Sequence, residues 1–348
     1  MPTGEIAGAL LPWYDEKARD LPWRRDVTPY RVWVSEIMLQ QTRIEAAKGY
    51  FERFMSALPT VRDLAAAEEE TVLKLWEGLG YYSRARNLRK AARLVMSQYG
   101  GALPADAALL KKLPGIGDYT AGAIASIAFG LPEPAVDGNV LRICARLTCC
   151  PDSVGDPAVK RRFREMLRVQ YPPGRCGAFT SAIMELGETV CTPGTPDCAS
   201  CPLSSLCKAY QTGRQTGYPV MPEKKPRRIQ QRTVLLMTRG TRTALTKRPD
   251  RGLLAGLWEY PNREGSLTAA EAEALAADWG CEPCDVLPCG EAVHIFTHLE
   301  WHMTGYRIEC RRESGRFFWA DDRERRERCA VPTAFRAYTD HLDQRSLS

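Results

Sequence analysis

The sequence predicts a mainly helical first domain followed by a smaller α/β domain. Three observations lead there. Apolar residues recur at helical spacing as far as about residue 208, with little strand-like alternation. A stretch rich in polar residues, Pro, Lys and Arg, QTGRQTGYPVMPEKKPRRIQQ, then runs without apolar period and reads as a linker. Beyond it, short alternating segments signal strands. The boundaries drawn are 1–210 for the helical domain, 211–228 for the linker and 229–348 for the second domain. Length agrees, since 348 residues exceed the usual size of one domain.

The helices are read from VWVSEIMLQQTRIEAAKGYFERFM, ETVLKLWEGLG, SRARNLRKAARLVMSQYG and VKRRFREMLRVQY. In the second domain RTVLLMTRGTRTALTKR reads as two strands around a turn at Gly240. LTAAEAEALAADWG is a helix, and HLEWHMTGYRIECRR and RFFWA are strands. Hydrophobic residues are 44% and charged residues 26%, which excludes a mainly disordered chain and a collagen-like fibre. The least polar stretch, Ala121 to Leu131, is too short to span a bilayer, so no membrane association is expected. The first residues carry Glu5 and no basic leader, unlike a signal peptide. The net charge of +6 lies mostly in the first two thirds and permits a polyanionic partner.

Four of the thirteen cysteines are clustered: Cys191, Cys198, Cys201 and Cys207. Such spacing lets four thiolates close around one structural metal centre in a reducing, intracellular compartment. Zinc and iron–sulfur both remain open on spacing alone. In DAALLKKLPGIGDYTAGAIASIAFG, Gly115 and Gly117 permit a tight turn between two helices. The second helix then offers free amides to a phosphate, although Asp118 adds an unfavourable charge. An ordinary αα-hairpin fits the same letters. Asp137, in PAVDGNVLRICARL, stands where a helix begins and fits either a simple cap or a functional carboxylate. Glu36 sits among Val32, Trp33, Val34, Ile37, Met38 and Leu39. If buried there it would be held protonated, as a general acid must be; if on the helix's exposed stripe it would be ordinary.

Taken in order, LPWRRD, SEIMLQQT, GLGYYSRARNL, LPGIGDYTAGAI, VDGNVLRICAR and C-x6-C-x2-C-x5-C resemble the adenine-excising (MutY-type) family of helix–hairpin–helix DNA glycosylases. The resemblance covers about residues 20–208. It implies a [4Fe–4S] cluster on the four cysteines. It also implies that Glu36 protonates adenine N7, that Asp137 stabilises the oxocarbenium-like sugar, and that Asn139 and Tyr119 complete the catalytic set. Trp23 and Arg24 would line the adenine pocket. Gln41 and Tyr81, or its neighbour Tyr82, would wedge into the base stack, and Gly115 and Gly117 would hold the backbone. The basic residues Arg84, Arg86, Arg89, Lys90 and Arg93 could attract phosphates, with a plain solvated helix face as the reading for some of them.

Tyr119 stands where the endonuclease III branch has a lysine, so a monofunctional enzyme is expected; the alternative is a bifunctional glycosylase/AP lyase of that branch. Leu141, where some relatives carry a lysine, also argues against Schiff-base trapping. Residues 229–348 resemble the Nudix-like domain of the same family, with GLLAGLWEYP matching one of its segments. The acidic Nudix box is absent, so no magnesium-dependent pyrophosphatase activity is expected. Phe296, Thr297 and His298 match the loop that checks the base opposite adenine, Thr297 keeping the hydroxyl of the usual serine. The implied partner is double-stranded DNA carrying A:8-oxoguanine or A:G mispairs. The implied state is a monomer in the cytoplasm, associated with the nucleoid.

Overall fold

The computed structural model describes residues 3–223 and 226–345, the side chain of Arg345 excepted. Residues 1, 2, 224, 225 and 346–348, which fall in the expected first domain, linker and second domain, lie outside the described residues. Two compact units emerge. One comprises Met1–Ala66 with Asn87–Lys224, the other Ala67–Arg86 with Lys225–Ser348. Among the described residues no helix is long and apolar enough to cross a membrane.

The first unit is helical. Its main helices are Glu5–Lys17, Pro29–Leu39, Ile44–Ala57, Gly138–Thr148, Pro157–Arg168 and Cys176–Thr189. The helical period read through residues 32–55 is two helices, not one. The chain breaks between Leu39 and Ile44, where Gln41 takes a left-handed φ of 59°. Pro29–Leu39 starts where its letters say it should. Pro29 fills the first turn, where no amide bond is lost, and the Thr28 hydroxyl accepts from the Arg31 amide at 3.3 Å. Ile6 and Leu10 of the first helix pack with Ile143, Phe179 and Ile183, so one core joins the start of the chain to helices 138–148 and 176–189. Tyr218, inside the stretch read as a linker, is buried in this core, and the Val154 amide donates to the Val220 carbonyl at 3.0 Å.

The second unit is built on a seven-stranded sheet. Its strands are β1 (Arg228–Arg239), β2 (Arg242–Lys247), β3 (Trp258–Glu259), β4 (Asn262–Glu264), β5 (Pro283–Ile295), β6 (Leu299–Cys310) and β7 (Phe318–Ala320). The main order is β3-β2-β1-β6-β5, with β4 on β1 and β7 on β2. β1 and β6 run parallel, from Arg228 opposite Leu299 to Thr238 opposite Glu309; the other pairings are antiparallel. β1 reads as a continuous apolar run because both its faces are covered. Val234 and Leu236 pack with Phe335, Tyr338 and Leu342. Leu235 and Met237 pack with Ala272, Leu275 and Ala276 of the helix Ala269–Asp278. That helix begins at a capping box between Thr268 and Glu271. β5 has no clean alternation because Pro288 and Gly290 interrupt it and its register slips there.

Candidate active site

Five pieces of the first unit converge on a cavity of about 330 Å³. The turn Pro22–Arg25 supplies Trp23 and Arg24, helix Pro29–Leu39 supplies Glu36, and helix Asp118–Ala123 supplies Tyr119. Asp137 and Asn139 come from the start of helix Gly138–Thr148, and Met184, Glu185 and Glu188 from helix Cys176–Thr189. The sequence left Glu36 between a buried and an exposed place; it is buried, at 5% exposure. The Tyr119 hydroxyl donates to its Oε2 at 2.5 Å. Burial pushes the Glu36 carboxyl up to about 7. The Tyr119 bond and Arg24 pull it down, and the charge of Asp137 pushes it up. Burial likewise raises the Tyr119 phenol, with Glu36 and Asp137 adding to it, so this hydroxyl stays a donor.

Asp137 is both the helix cap and a cavity group. Its Oδ1 accepts from the Val140 amide at 2.7 Å while its carboxyl lines the cavity. Burial raises its pKa; the Val140 amide and Arg142 oppose the rise, and Glu188 adds to it. The helices 138–148 and 176–189 meet closely here. A Cβ on Gly187 would lie 2.6 Å from the Asn139 Cβ, so only glycine fits. Asn139 Nδ2 then donates to Glu188 Oε1 at 2.8 Å, and its Oδ1 accepts from Arg142 Nη2 at 2.8 Å.

Sequence reasoning missed Glu185. Its side chain is 1% exposed and is gripped by Arg19 Nε at 2.5 Å and Arg24 Nη2 at 2.8 Å. These bonds, made against the cost of burial, hold its carboxyl below the usual range. The signal was present in SAIMELGET, another carboxylate in an apolar helix, but its two partners lie more than a hundred residues away in sequence.

The hairpin lies in the same unit. Gly115 takes a φ of 79°, and a Cβ there would meet Asn87 Cβ at 2.8 Å. Gly117 has no such demand: its φ is −92°, and a Cβ there would have open space for 4 Å around it. Asp118 is paired with Lys111 and Arg164, each at 3.2 Å, which offsets the charge that counted against a phosphate. Gln41 lies outside the first cavity. It lines a second one of about 930 Å³, which shares Asp137, Asn139 and Glu188 with the first and also takes Arg43 and Lys160.

In the second unit, Tyr81 has a φ of 47° and is 48% exposed, whereas Tyr82 is buried and its hydroxyl accepts from the Gly78 amide. The Tyr81 and Thr297 hydroxyls are 3.1 Å apart. Phe296, Thr297 and His298 form the turn between β5 and β6 and, with Tyr81, line a cavity of about 380 Å³. Arg84 is not on a solvated face. It donates to the Leu79 and Gly80 carbonyls and stacks 5.4 Å from the Trp76 and Tyr81 rings. Arg86 donates to the Ala255 carbonyl; of the residues that follow, in the first unit, Arg89 is buried, while Lys90 and Arg93 are exposed.

Cys191, Cys198, Cys201 and Cys207 line one small cavity of the first unit. Arg146 Nη1 donates to Cys191 Sγ at 3.2 Å. Among the described residues, no three of His, Cys, Asp or Glu are disposed to hold a single metal ion.

A helical unit that sets a buried carboxylic acid and a capped carboxylate on one cavity beside a glycine hairpin has the parts of a base-excising enzyme. Residues 34–168 match the HhH-GPD superfamily base excision DNA repair protein, and residues 233–341 match the NUDIX domain. An adenine DNA glycosylase of Rattus norvegicus is 34% identical, over 95% of this chain and 77% of its own. One of Arabidopsis thaliana is 38% identical, over 85% of this chain; the match spans only 56% of that relative's length. The fold of a trapped endonuclease III–DNA covalent intermediate superposes with a TM-score of 0.51 at 25% identity, over 61% of this chain and 99% of the other. This chain belongs to the adenine DNA glycosylase family, within that base excision repair superfamily.

Proposed function

We propose that this chain is a monofunctional DNA glycosylase that hydrolyses the N-glycosidic bond of adenine opposite 8-oxoguanine or guanine in double-stranded DNA. The observation that carries the reading is that Glu36 and Asp137 border one cavity of about 330 Å³, within the ~300–1,000 Å³ usual for ligand pockets. Adenine leaves poorly as an anion. Glu36, its carboxyl pushed up to about 7 by burial, gives its proton to N7 as the C1′–N9 bond breaks, and adenine departs neutral. Positive charge grows on the sugar, and the Asp137 carboxylate stabilises it there, where it exists only near the transition state. Water adds to C1′ and its proton returns to Glu36. Two carboxyl groups in opposite protonation states thus divide the work, as in glycosidases. Tyr119 orients the Glu36 carboxyl through their hydrogen bond, and Asn139 lies beside Asp137 for the water. Trp23 and Arg24 bound the base.

Extrusion of adenine costs a few kcal/mol, less at a mispair. Gln41 and Tyr81 fill the vacated stack, and Gly115 and Gly117 let the phosphate backbone approach the hairpin amides. Tyr81 is favoured over Tyr82 because only the former is exposed. Phe296, Thr297 and His298 read the opposite base, a role supported by the Tyr81–Thr297 contact. Tyr119 has no amine for an imine, which argues for simple hydrolysis over the lyase alternative. The assignment of 1–210 to catalysis, 211–228 to linkage and 229–348 to lesion recognition belongs to the same proposal. So do a monomeric state and an intracellular, nucleoid-associated location, which the substrate implies.

We infer that Cys191, Cys198, Cys201 and Cys207 hold a [4Fe–4S] cluster. The four thiols line one cavity of the first unit, and four thiolates are the donor set such a cluster takes. When bound, such a cluster cross-links residues 191–207 and supplies no step of the hydrolysis.

The test is base release from A:8-oxoguanine, A:G and A:C duplexes, with and without alkali. Free adenine from the first two, and strand breaks only after alkali, are expected. Scission without alkali would establish the lyase instead.

A further inference from the structure

We infer that Glu188 is a positioning residue of this site, a further carboxylate that fixes the side-chain amide of Asn139 beside Asp137. The inference rests on the proposed glycosylase reading and extends it. Asn139 is clamped from both ends. Its Nδ2 faces Glu188 Oε1 at 2.8 Å, and its Oδ1 faces Arg142 Nη2 at 2.8 Å. An ionised carboxylate only accepts and a guanidinium only donates, so this pair permits one amide orientation and excludes its flip. One amide hydrogen is left for the cavity that Asn139 lines. Arg142 is anchored in turn, donating to the Gly187 carbonyl at 2.8 Å and the Cys191 carbonyl at 2.7 Å. Glu188 is the exposed member, and it borders both the 330 Å³ cavity and the neighbouring 930 Å³ one.

An anion on a surface that meets DNA costs phosphate affinity. Two benefits follow from the geometry. The clamp orients the amide that faces the incoming water, and the fixed negative charge adds to that of Asp137 as the sugar becomes cationic. The second has a signature in pH. Asp137 is faced by Arg142 and the Val140 and Asn139 amides, which favour its ionised form. Glu188 disfavours that form, and Glu36 and Tyr119 border the same cavity. Removing the Glu188 charge therefore lets Asp137 stay ionised to lower pH.

The experiment compares Glu188→Ala and Glu188→Gln with the parent, as single-turnover adenine release from an A:8-oxoguanine duplex across pH 5–9, with duplex affinity measured in parallel. Gln keeps an acceptor for Asn139 without the charge. Losing one charge-assisted hydrogen bond predicts about a tenfold slower Ala variant and about a threefold slower Gln variant. In both, the acid limb moves to lower pH and duplex affinity holds or rises. A Glu188→Ala rate within about twofold of the parent, an unmoved acid limb, or a Gln variant no better than Ala overturns the inference. The side-chain amide NMR signal of Asn139 gives a readout independent of turnover; it shifts in the Ala variant and overturns the clamp if it stays. A parent chain that releases no adenine removes the glycosylase reading, while the amide signal still decides the clamp.

Discussion

Glu36 carries a conflict between function and stability. Burial pushes its carboxyl up to about 7 from an ordinary 4.5, so between those values the folded state holds a proton that the unfolded chain releases. Stability is therefore full below about 4.5 and falls as pH rises toward about 7. Adenine release should decline over the same upper limb as the acid loses its proton. Glu36→Gln should abolish release yet raise stability at pH 8 by up to about 3 kcal/mol, with little gain at pH 4. Urea midpoints at the two pH values check this. Glu185 has the opposite sign. Its pKa is lowered, so its contribution is present above the ordinary carboxylate range and fades as pH falls through the lowered value. Glu185→Gln should cost about 2 kcal/mol at neutral pH, since it loses charge-assisted bonds from a buried site while Arg19 and Arg24 stay partly exposed. Its KM for the adenine-containing duplex should rise more than kcat falls, because Arg24 loses its carboxylate partner. Glu36 stood out in the letters because its neighbours in sequence are apolar, although they left its burial open. Glu185 did not, because what explains it is two arginines brought together only by the fold. Arg84 misled for the same reason: a basic helix face in sequence turned out to stack on Trp76 and Tyr81.

At the scale of elements, the site depends on how closely two helices approach. Gly187→Ala would push its methyl into Asn139 and part helices 138–148 and 176–189. Overpacking of this kind costs ~1–3 kcal/mol. The excision rate should fall further than stability explains, because Asn139, Glu188 and Asp137 share that junction. Thermal melts and single-turnover rates on one preparation separate the two effects. The period and caps of the helices were readable, as Thr28–Pro29 and Thr268–Glu271 illustrate. The break at Gln41 was not, since apolar spacing runs through it and only a left-handed φ marks it. β5 escaped because prolines and a glycine disguise an edge strand.

For the whole molecule, the order of six motifs and a change of texture near residue 229 were enough to anticipate a helical unit followed by a sheet. The grouping of residues 67–86 with the sheet was beyond reach, since it depends on contacts such as Tyr81 with Thr297 across more than two hundred positions. Metal analysis of the purified chain should find iron and sulfide in equal amounts with visible absorption; zinc without iron would replace the cluster assignment. Chelation should lower thermal stability before it lowers the rate of a pre-formed enzyme–DNA complex.

The parallel pairing of β1 with β6 has a consequence for how the chain is made. β1 leaves the ribosome roughly seventy residues before its partner, several seconds at ~5–20 residues per second. During that interval the nascent Val234–Met237 run has one edge without its neighbour and is open to pairing with other chains. Chaperone demand and truncation-induced aggregation should therefore concentrate in products ending between residues 240 and 299, and ease once Leu299–Cys310 has been synthesised.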